Sequence, residues 1–384
     1  MTSTSQTPRI SIIGAGPGGL TTARILQQAG IPVTVYDRDP SPGFRDQGGT
    51  LDMQTDTGQK ALRAAGLLDE FMAISRPEGQ DMRSLAKDGT VLFEHHSPEG
   101  ETDAPEIDRA DLRELLLRSL QPGTVRYGTN LDRTEPRGDG RLELFFRDGT
   151  SEMVDLVIGA DGAWSKVRPL VSAAEPFHEG VIFVEIQFDN VDAQHPEVAK
   201  LVGRGGMFAM EDNKGIVAQR QSGNRIRAYV AFRDGTDWLE RRGLELDNAS
   251  AVRATLLEMF EGWSPELRRL IEECNDLFLS RPLFALPVPP QWTTRAGVTL
   301  LGDAAHLMSP VSGLGANTAM LDGADLAQAI IREPDLPSAV TAYEALMFPR
   351  AATNAAASHE GLQMMVSDGA PDTDHFALEH QGSK

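Results

Sequence analysis

The chain has 384 residues, of which 40% are hydrophobic and 24% charged, with a formal net charge of −20. That size and apolar fraction suit one large α/β unit with an insert, and neither disorder nor a coiled coil accounts for the composition. The polyanionic balance excludes nucleic acid and anionic membrane surfaces as partners, so any anionic cofactor must be held by local features.

In chain order, the N-terminal MTSTSQTPR carries no apolar leader, and a cytoplasmic location is expected. Ile10, Ile12 and Ile13 form a β-branched run that ends at Gly14. Leu20, Ala23, Leu26 and Gln27 then recur at helical spacing up to Gly30, and Val33, Val35 and Tyr36 make a second strand. Strand, glycine turn, helix and strand together are a βαβ unit. A glycine-containing loop (42–50), a helix (57–72), paired strands (79–95) and a helix with Leu112, Leu115, Leu116 and Leu120 on one side follow. Strands recur in TVRYGT, RLELFFRDG and MVDLVIGADG, with a hairpin at Asp148-Gly149. Alternating stretches such as VIFVEIQFDN, KGIVAQRQ and RIRAYVAF predict an antiparallel sheet with one wet face. Helices near 248–260 and 264–274 come next, the latter holding Cys274, the only cysteine, which leaves no intramolecular disulfide. GVTLLGDAAHLMSP returns to the first domain, before helical tracts at 317–331 and 338–365. The expected domains are therefore 1–175, an insert at 176–290, a return at 291–335, and a C-terminal helical segment at 336–384. No run reaches the roughly 18 apolar residues of a membrane span, and no Cys/His cluster has metal-ligand spacing.

Three segments carry chemistry. Gly14-Ala15-Gly16-Pro17-Gly18-Gly19 is a G-x-G-x-x-G between a strand and a helix. Gly14 permits the tight turn, Gly16 a close approach to a pyrophosphate, and Gly19 close helix packing, while the helix N-terminus supplies amide donors. Asp37 closes the second strand, where a carboxylate accepts hydrogen bonds from a ribose with a free 2′-hydroxyl; FAD or NAD fits there. Arg38 adjoins it. The second segment, DLVIGADGAWSKVR, is a strand, a turn at Asp161 and a helix start; by itself it reads as an ordinary turn with Asp161 as a cap. The third is Gly302-Asp303-Ala304-Ala305-His306, followed by Pro310, Gly313, Gly315 and Asn317. A carboxylate at a strand end can hold a polyol chain, and a glycine run opening a helix offers amides to an electron-rich ring edge.

In order and spacing, these segments resemble the class A flavoprotein monooxygenases, the aromatic-hydroxylase family. GGTLDMQTDTGQKALRAAGLL, PEIDRADLRELLLRSL, SKVR and GDAAHLMSPVSGLGAN are most similar to the tetracycline-inactivating members. The resemblance implies an FAD-binding Rossmann-like domain of the glutathione-reductase type, an inserted substrate domain on an antiparallel sheet, and a C-terminal helix. It implies non-covalent FAD, NADPH as a transient co-substrate, dioxygen, and a small aromatic or polyketide substrate, a tetracycline first among them, on a monomeric enzyme. By the same resemblance Asp303 contacts the ribityl chain, Arg109 and Asp52 touch FAD, Asp161 joins the cofactor set, Arg45 binds NADPH, and Pro310 and Gly313 line the substrate side of the flavin. The middle domain departs from the tetracycline pattern: a substrate-contacting glutamine aligns near Glu185 and an arginine near Gly206. Glu185, Gln219 and Arg220 are left to supply polar contacts, with Met364, Met365 and Phe376 in the covering C-terminal segment. No catalytic acid, base or nucleophile is expected, because the cofactor carries the chemistry. A flavin reductase or halogenase, and a non-enzymatic carrier that has lost its flavin, are the competing readings.

Overall fold

The computed structural model describes residues 8–98, 100–138 and 140–369. Its first stretch carries β1 (Ile10–Ile13), β2 (Val33–Tyr36), β3 (Thr50–Asp52), β4 (Met82–Leu85), β5 (Val91–His95), β6 (Glu106–Asp108), β7 (Val125–Arg126), β8 (Leu131–Pro136), β9 (Leu142–Phe146), β10 (Ser151–Val154) and β11 (Leu156–Gly159). The middle contributes β12 (Phe177–Phe188), β13 (Gly206–Glu211), β14 (Lys214–Gln221), β15 (Arg225–Arg233) and β16 (Leu279–Ala285), and the return adds β17 (Val298–Leu300).

The parallel sheet has the order β17-β11-β1-β2-β7. Its central strands are buried on both faces, which is why ISII and LVIG read as continuous apolar runs. The Pro17–Gln28 helix crosses from β1 to β2, with Pro17 at its first position and Gly30 (φ +75°) past its end. Gly14 sits at φ +109°, and a Cβ there would lie 2.2 Å from the Ala160 carbonyl oxygen. The strand-to-helix turn is thereby pressed against the end of β11.

The larger sheet has seven strands in the order β16-β12-β15-β14-β13-β4-β5. Strands 82–95, placed in the first domain by the boundaries above, belong to this second sheet: β4 runs parallel to β13, with Gly206 opposite Met82. A hairpin's sequence declares its own pairing, whereas the edge it docks on is chosen by packing. Two further differences are local. The expected helix at 57–72 is two helices, Gly58–Ala64 and Leu68–Ile74, parted at Gly66 (φ +65°). The helix expected from 317 begins at Leu314 and runs to Arg332.

One face of the seven-stranded sheet packs Ile182, Val184, Ile186, Ala218, Ala228 and Val230 against the helices Pro196–Val202, Ala249–Met259 and Pro265–Glu272. The opposite face looks towards the parallel-sheet domain. The 30-residue Leu336–Met365 helix joins the two units. Tyr343 and Met347 lie in the first core, and the Tyr343 hydroxyl donates to the Leu300 carbonyl at 2.8 Å. Further along, Leu362 packs in the apolar cluster of the second sheet's inner face.

Candidate functional site

The glycine turn opens the Pro17–Gln28 helix with Gly16 as N-cap, and no side chain caps its amides. A Cβ on Gly16 would meet nothing within 4 Å, so the space before the helix end is open to a ligand. Gly19 is tight, its would-be Cβ 2.3 Å from the Gly14 carbonyl oxygen. Asp37 is buried, and its two oxygens accept from the amides of Ala15 and Asp39, each at 2.8 Å. The carboxylate therefore holds the turn as well as facing it, and each oxygen keeps a second lone pair. Arg113, which the sequence did not single out, braces the same turn by donating to Ala15 O at 3.2 Å and Pro42 O at 2.5 Å. Arg45 pairs with Asp39 at 2.8 Å, so it is tethered beyond the end of β2, while Arg38 is exposed.

The Asp161 turn and the Asp303 turn are joined by a buried arginine. Arg168 donates to Ala163 O at 2.7 Å, Ala304 O at 2.8 Å and Asp303 O at 3.2 Å. Asp161 Oδ2 caps Lys166 N at 2.7 Å, as the bare sequence reading has it. Its Oδ1 is buried and has no hydrogen-bond partner among the described residues, and burial raises its pKa. Asp303, at the first position of the Asp303–His306 helix, is exposed, and its carboxyl group makes no hydrogen bond within the described residues. Asp303 thus keeps its acceptors open to a ligand lying along the strand ends, while Asp161 Oδ1 is enclosed by protein.

The third element of the site is the start of the Leu314–Arg332 helix. Gly313 is its N-cap at φ +66°, again without a capping side chain, and a Cβ on Gly315 would meet nothing within 4 Å. Pro310 starts the short turn Pro310–Ser312 just before it. Asp52 reaches this cradle from β3: a Cβ on Gly313 would lie 2.9 Å from Asp52 Oδ1. Burial pushes the Asp52 pKa up to about 6. Glu106 is its partner across the β3–β6 ladder, and burial pushes its pKa up to about 7.

Asn317, expected as a cofactor ligand, has its side chain committed elsewhere. Its Nδ2 donates to Asp52 O at 2.7 Å and Gly313 O at 3.3 Å. Its Oδ1 accepts from Gln54 N at 3.0 Å, Gly58 N at 3.1 Å and Thr57 Oγ1 at 3.2 Å. The side chain staples the 52–58 segment to the helix start, and only the helix's backbone amides remain to face a ligand. Arg109 flanks the opening. It is exposed, its Cδ would lie 3.4 Å from a Cβ on Gly48, and its guanidinium makes no hydrogen bond or ion pair among the described residues.

Across this cradle stands the inner face of the seven-stranded sheet. Strand alternation puts Phe183, Phe208, Val217 and Tyr229 there, with Val311 and Met365 packed against them. Beside them is a polar half. Arg227 and Glu185, both buried, form an ion pair; Arg227 also reaches Asp46 at 2.6 Å, and Arg281 reaches Glu185 at 3.2 Å. Gly49 touches this face, its would-be Cβ 3.2 Å from the Tyr229 hydroxyl and 3.9 Å from Gln219 Oε1. Arg220 is a correction: as the neighbour of Gln219 on β14 it points the other way, donating to Gly203 O at 2.8 Å and to Asp192 at 2.8 Å. Gly206 opens β13, opposite Gln219. Met364 is half-exposed, and Phe376 lies outside the described residues. The sequence reading also passed over Arg227, which alternates with the core residues Ile226, Ala228 and Val230 of RIRAYVAF and so shares the other face of β15 with Tyr229.

These features fit FAD. Two uncapped helix N-termini, an open space before Gly16, the free carboxyl group of Asp303, and Arg109, unpaired among the described residues, are the donors, acceptors and local charge that a flavin dinucleotide requires in a chain of net charge −20. The comparisons agree. The profile of the family described as FAD binding domain matches residues 7–259 and 291–345. Monooxygenase penA of Penicillium thymicola is 30% identical over 96% of this chain and 97% of its own. A 3-amino-4-hydroxybenzoate 2-monooxygenase, PtmB3 of Streptomyces platensis, is 31% identical over 89% and 85%. The structure of Klebsiella pneumoniae HpxO with FAD and uric acid superposes with a TM-score of 0.79 at 22% identity, covering 98% of this chain and 92% of that one. Tetracycline destructase Tet(55) does so with a TM-score of 0.74 at 23% identity, covering 98% and 94%. At such identities the two structures speak for the fold alone. The chain belongs to the FAD-binding-domain family and is an FAD-dependent, nicotinamide-using monooxygenase of the class A type.

Proposed function

We propose that this enzyme hydroxylates an electron-rich, hydroxyl-bearing ring system seated between the flavin cradle and the inner face of the seven-stranded sheet. The observation that carries the reading is the division of that face: Phe183, Phe208 and Val217 form an apolar wall, while Glu185, Arg227 and Gln219 stand beside them. An aromatic body with polar substituents matches such a wall, and a buried polar group left unpaired would cost about 1–3 kcal/mol. Bound FAD, reduced by NADPH, supplies the activation of dioxygen. The protein binds, orients and excludes water. The Gly16 turn and Arg109 would hold the phosphates, Asp303 the polyol, and the first amides of the Leu314–Arg332 helix the electron-rich ring edge. Arg45, tethered by Asp39, is the proposed NADPH contact, and the enzyme is proposed to work in the cytoplasm as a monomer.

Substituted hydroxybenzoates, the compounds named for a relative at 31% identity, are the first candidates. A tetracycline is the second reading, favoured by the hydrogen-bonding capacity of the Glu185–Arg227–Gln219 edge for a hydroxyl- and amide-rich polycycle. The test incubates holoenzyme, NADPH and labelled dioxygen with hydroxybenzoates, aminophenols and tetracycline, followed by mass spectrometry. One labelled oxygen in a ring product is expected. NADPH consumption that yields hydrogen peroxide with every compound intact would overturn the proposal.

A further inference from the structure

Asp303 is exposed and its carboxyl group makes no hydrogen bond among the described residues, so only the backbone of the Gly302–Asp303 turn fixes where it stands. Gly302, at φ +57° and ψ −143°, is the N-cap of the Asp303–His306 helix. On one side of the turn the carbonyl oxygens of Asp303 and Ala304 accept from Arg168. On the other side the Gly302 N–H donates to Asp322 Oδ2 at 3.1 Å.

Asp322 lies on the Leu314–Arg332 helix and is fully buried. All three of these polar neighbours donate to it. His306 Nε2 stands 2.5 Å from Oδ2, so that nitrogen carries a hydrogen, and Arg350 Nη2 donates to Oδ1 at 2.8 Å. Arg350 comes from the Leu336–Met365 helix and also pairs with Asp325 at 2.8 Å. A charged carboxylate is thus clamped from three directions. The helix that carries it also reaches the other two parts of the cradle. It opens at Gly313, and Gly323, next to Asp322, packs on the Pro17–Gln28 helix: a Cβ there would lie 2.4 Å from the Gly18 carbonyl oxygen. One rigid element therefore relates the glycine turn to the ring-edge amides, and Asp322 is its link to Asp303.

We propose, on the reading of Asp303 as a ligand of FAD, that Asp322 is a positioning residue of the cofactor site. By holding the Gly302 amide it sets the Asp303 carboxylate at the separation from the glycine turn and the Gly313 helix start that one flavin dinucleotide requires. Hydrogen bonds weaken steeply with poor geometry, so a carboxylate displaced by about 1 Å forfeits most of the bond it would make.

Asp322→Asn is the test. The amide keeps the volume, but with donors on both sides its Nδ2 must face one of them, so the turn loses either its own anchor or the arginine that steadies it. FAD affinity is read from the flavin fluorescence released on dilution of the holoenzyme, for the wild type, Asp322→Asn, Asp303→Ala and the double variant. Asp322→Asn should weaken FAD about tenfold where Asp303 is present. Where Asp303 is already alanine the loss should be no more than about twofold, because a positioning effect vanishes with the group it positions. Arg350→Met, which frees Oδ1, should show the same dependence on Asp303, and it decides alone if Asp322→Asn does not fold. No loss in Asp322→Asn, or equal losses in the two backgrounds, overturns the proposal, since Asp322 would then act on the fold at large. An unaltered affinity in Asp303→Ala overturns the reading of Asp303 itself, and the proposal with it.

Discussion

Replacing Asn317 with alanine tests whether the cofactor cradle is held together from within. The side chain is fully buried and makes five hydrogen bonds at 2.7–3.3 Å. In Asn317→Ala the Thr57 hydroxyl can turn to another acceptor, and the Gly313 carbonyl keeps its place in the helix. Three backbone groups lose their partner: Asp52 O, Gln54 N and Gly58 N. Gln54 is only half-buried and can reach water, so two groups bear the full penalty. At about 1–3 kcal/mol for each buried unpaired group, plus a small void, the cost is about 3–5 kcal/mol. That corresponds to a fall in melting temperature of about 4–6 °C for a chain of this size. Because the 52–58 segment would separate from the helix start, FAD content should fall with it. Asn317→Asp keeps the acceptor for Gln54 N and Gly58 N but cannot donate to Asp52 O, so its loss should be intermediate. The assays are thermal melting of apoprotein and holoprotein, and the flavin-to-protein absorbance ratio. Asn317→Ala melting within about 2 °C of wild type with full flavin would refute the staple.

Two further outcomes follow from the same geometry. Asp303→Ala should weaken FAD binding roughly tenfold to a hundredfold, the worth of one charge-assisted hydrogen bond. It should leave the melting of the apoprotein unchanged, because that carboxyl group makes no hydrogen bond within the protein; an unaltered Kd in a flavin-fluorescence titration would remove Asp303 from the site. Glu106 supplies the pH test. Its pKa is raised from 4.5 to about 7, so the folded state holds its proton longer than the unfolded chain does. The group costs nothing below pH 4.5, and its cost grows as pH rises and is complete above the folded pKa, at about 3 kcal/mol. Glu106→Gln should therefore raise the melting temperature at pH 8 and leave it nearly unchanged at pH 4.5. An equal gain at both pH values would show that burial of this carboxyl is not the cause.

Much of this enzyme is written in short-range patterns. Ile10–Ile13, the Gly14–Gly19 turn, the helix and Asp37 are legible because each depends on neighbours within about one βαβ unit: a strand's apolar run, a glycine's positive φ, a helix's 3.6 period. Asp303 is legible for the same reason, as a carboxylate at the end of a strand where a helix starts. Alternation along β14 and β15 likewise divides Gln219 from Arg220 and Arg227 from Ala228 before any partner is known. Tertiary structure alone decided what those faces meet. It docked β4 on β13 across more than a hundred residues of chain, spent the Asn317 side chain on residues 52–58, set Arg113 under the glycine turn, and joined the two acidic turns through Arg168. It also buried Glu179, in the irregular stretch of β12, against His359 of the Leu336–Met365 helix. Propensity and periodicity describe a residue's own backbone and its orientation. The partner of a buried polar group is whichever distant segment packing brings within 3 Å, and only the folded chain determines that.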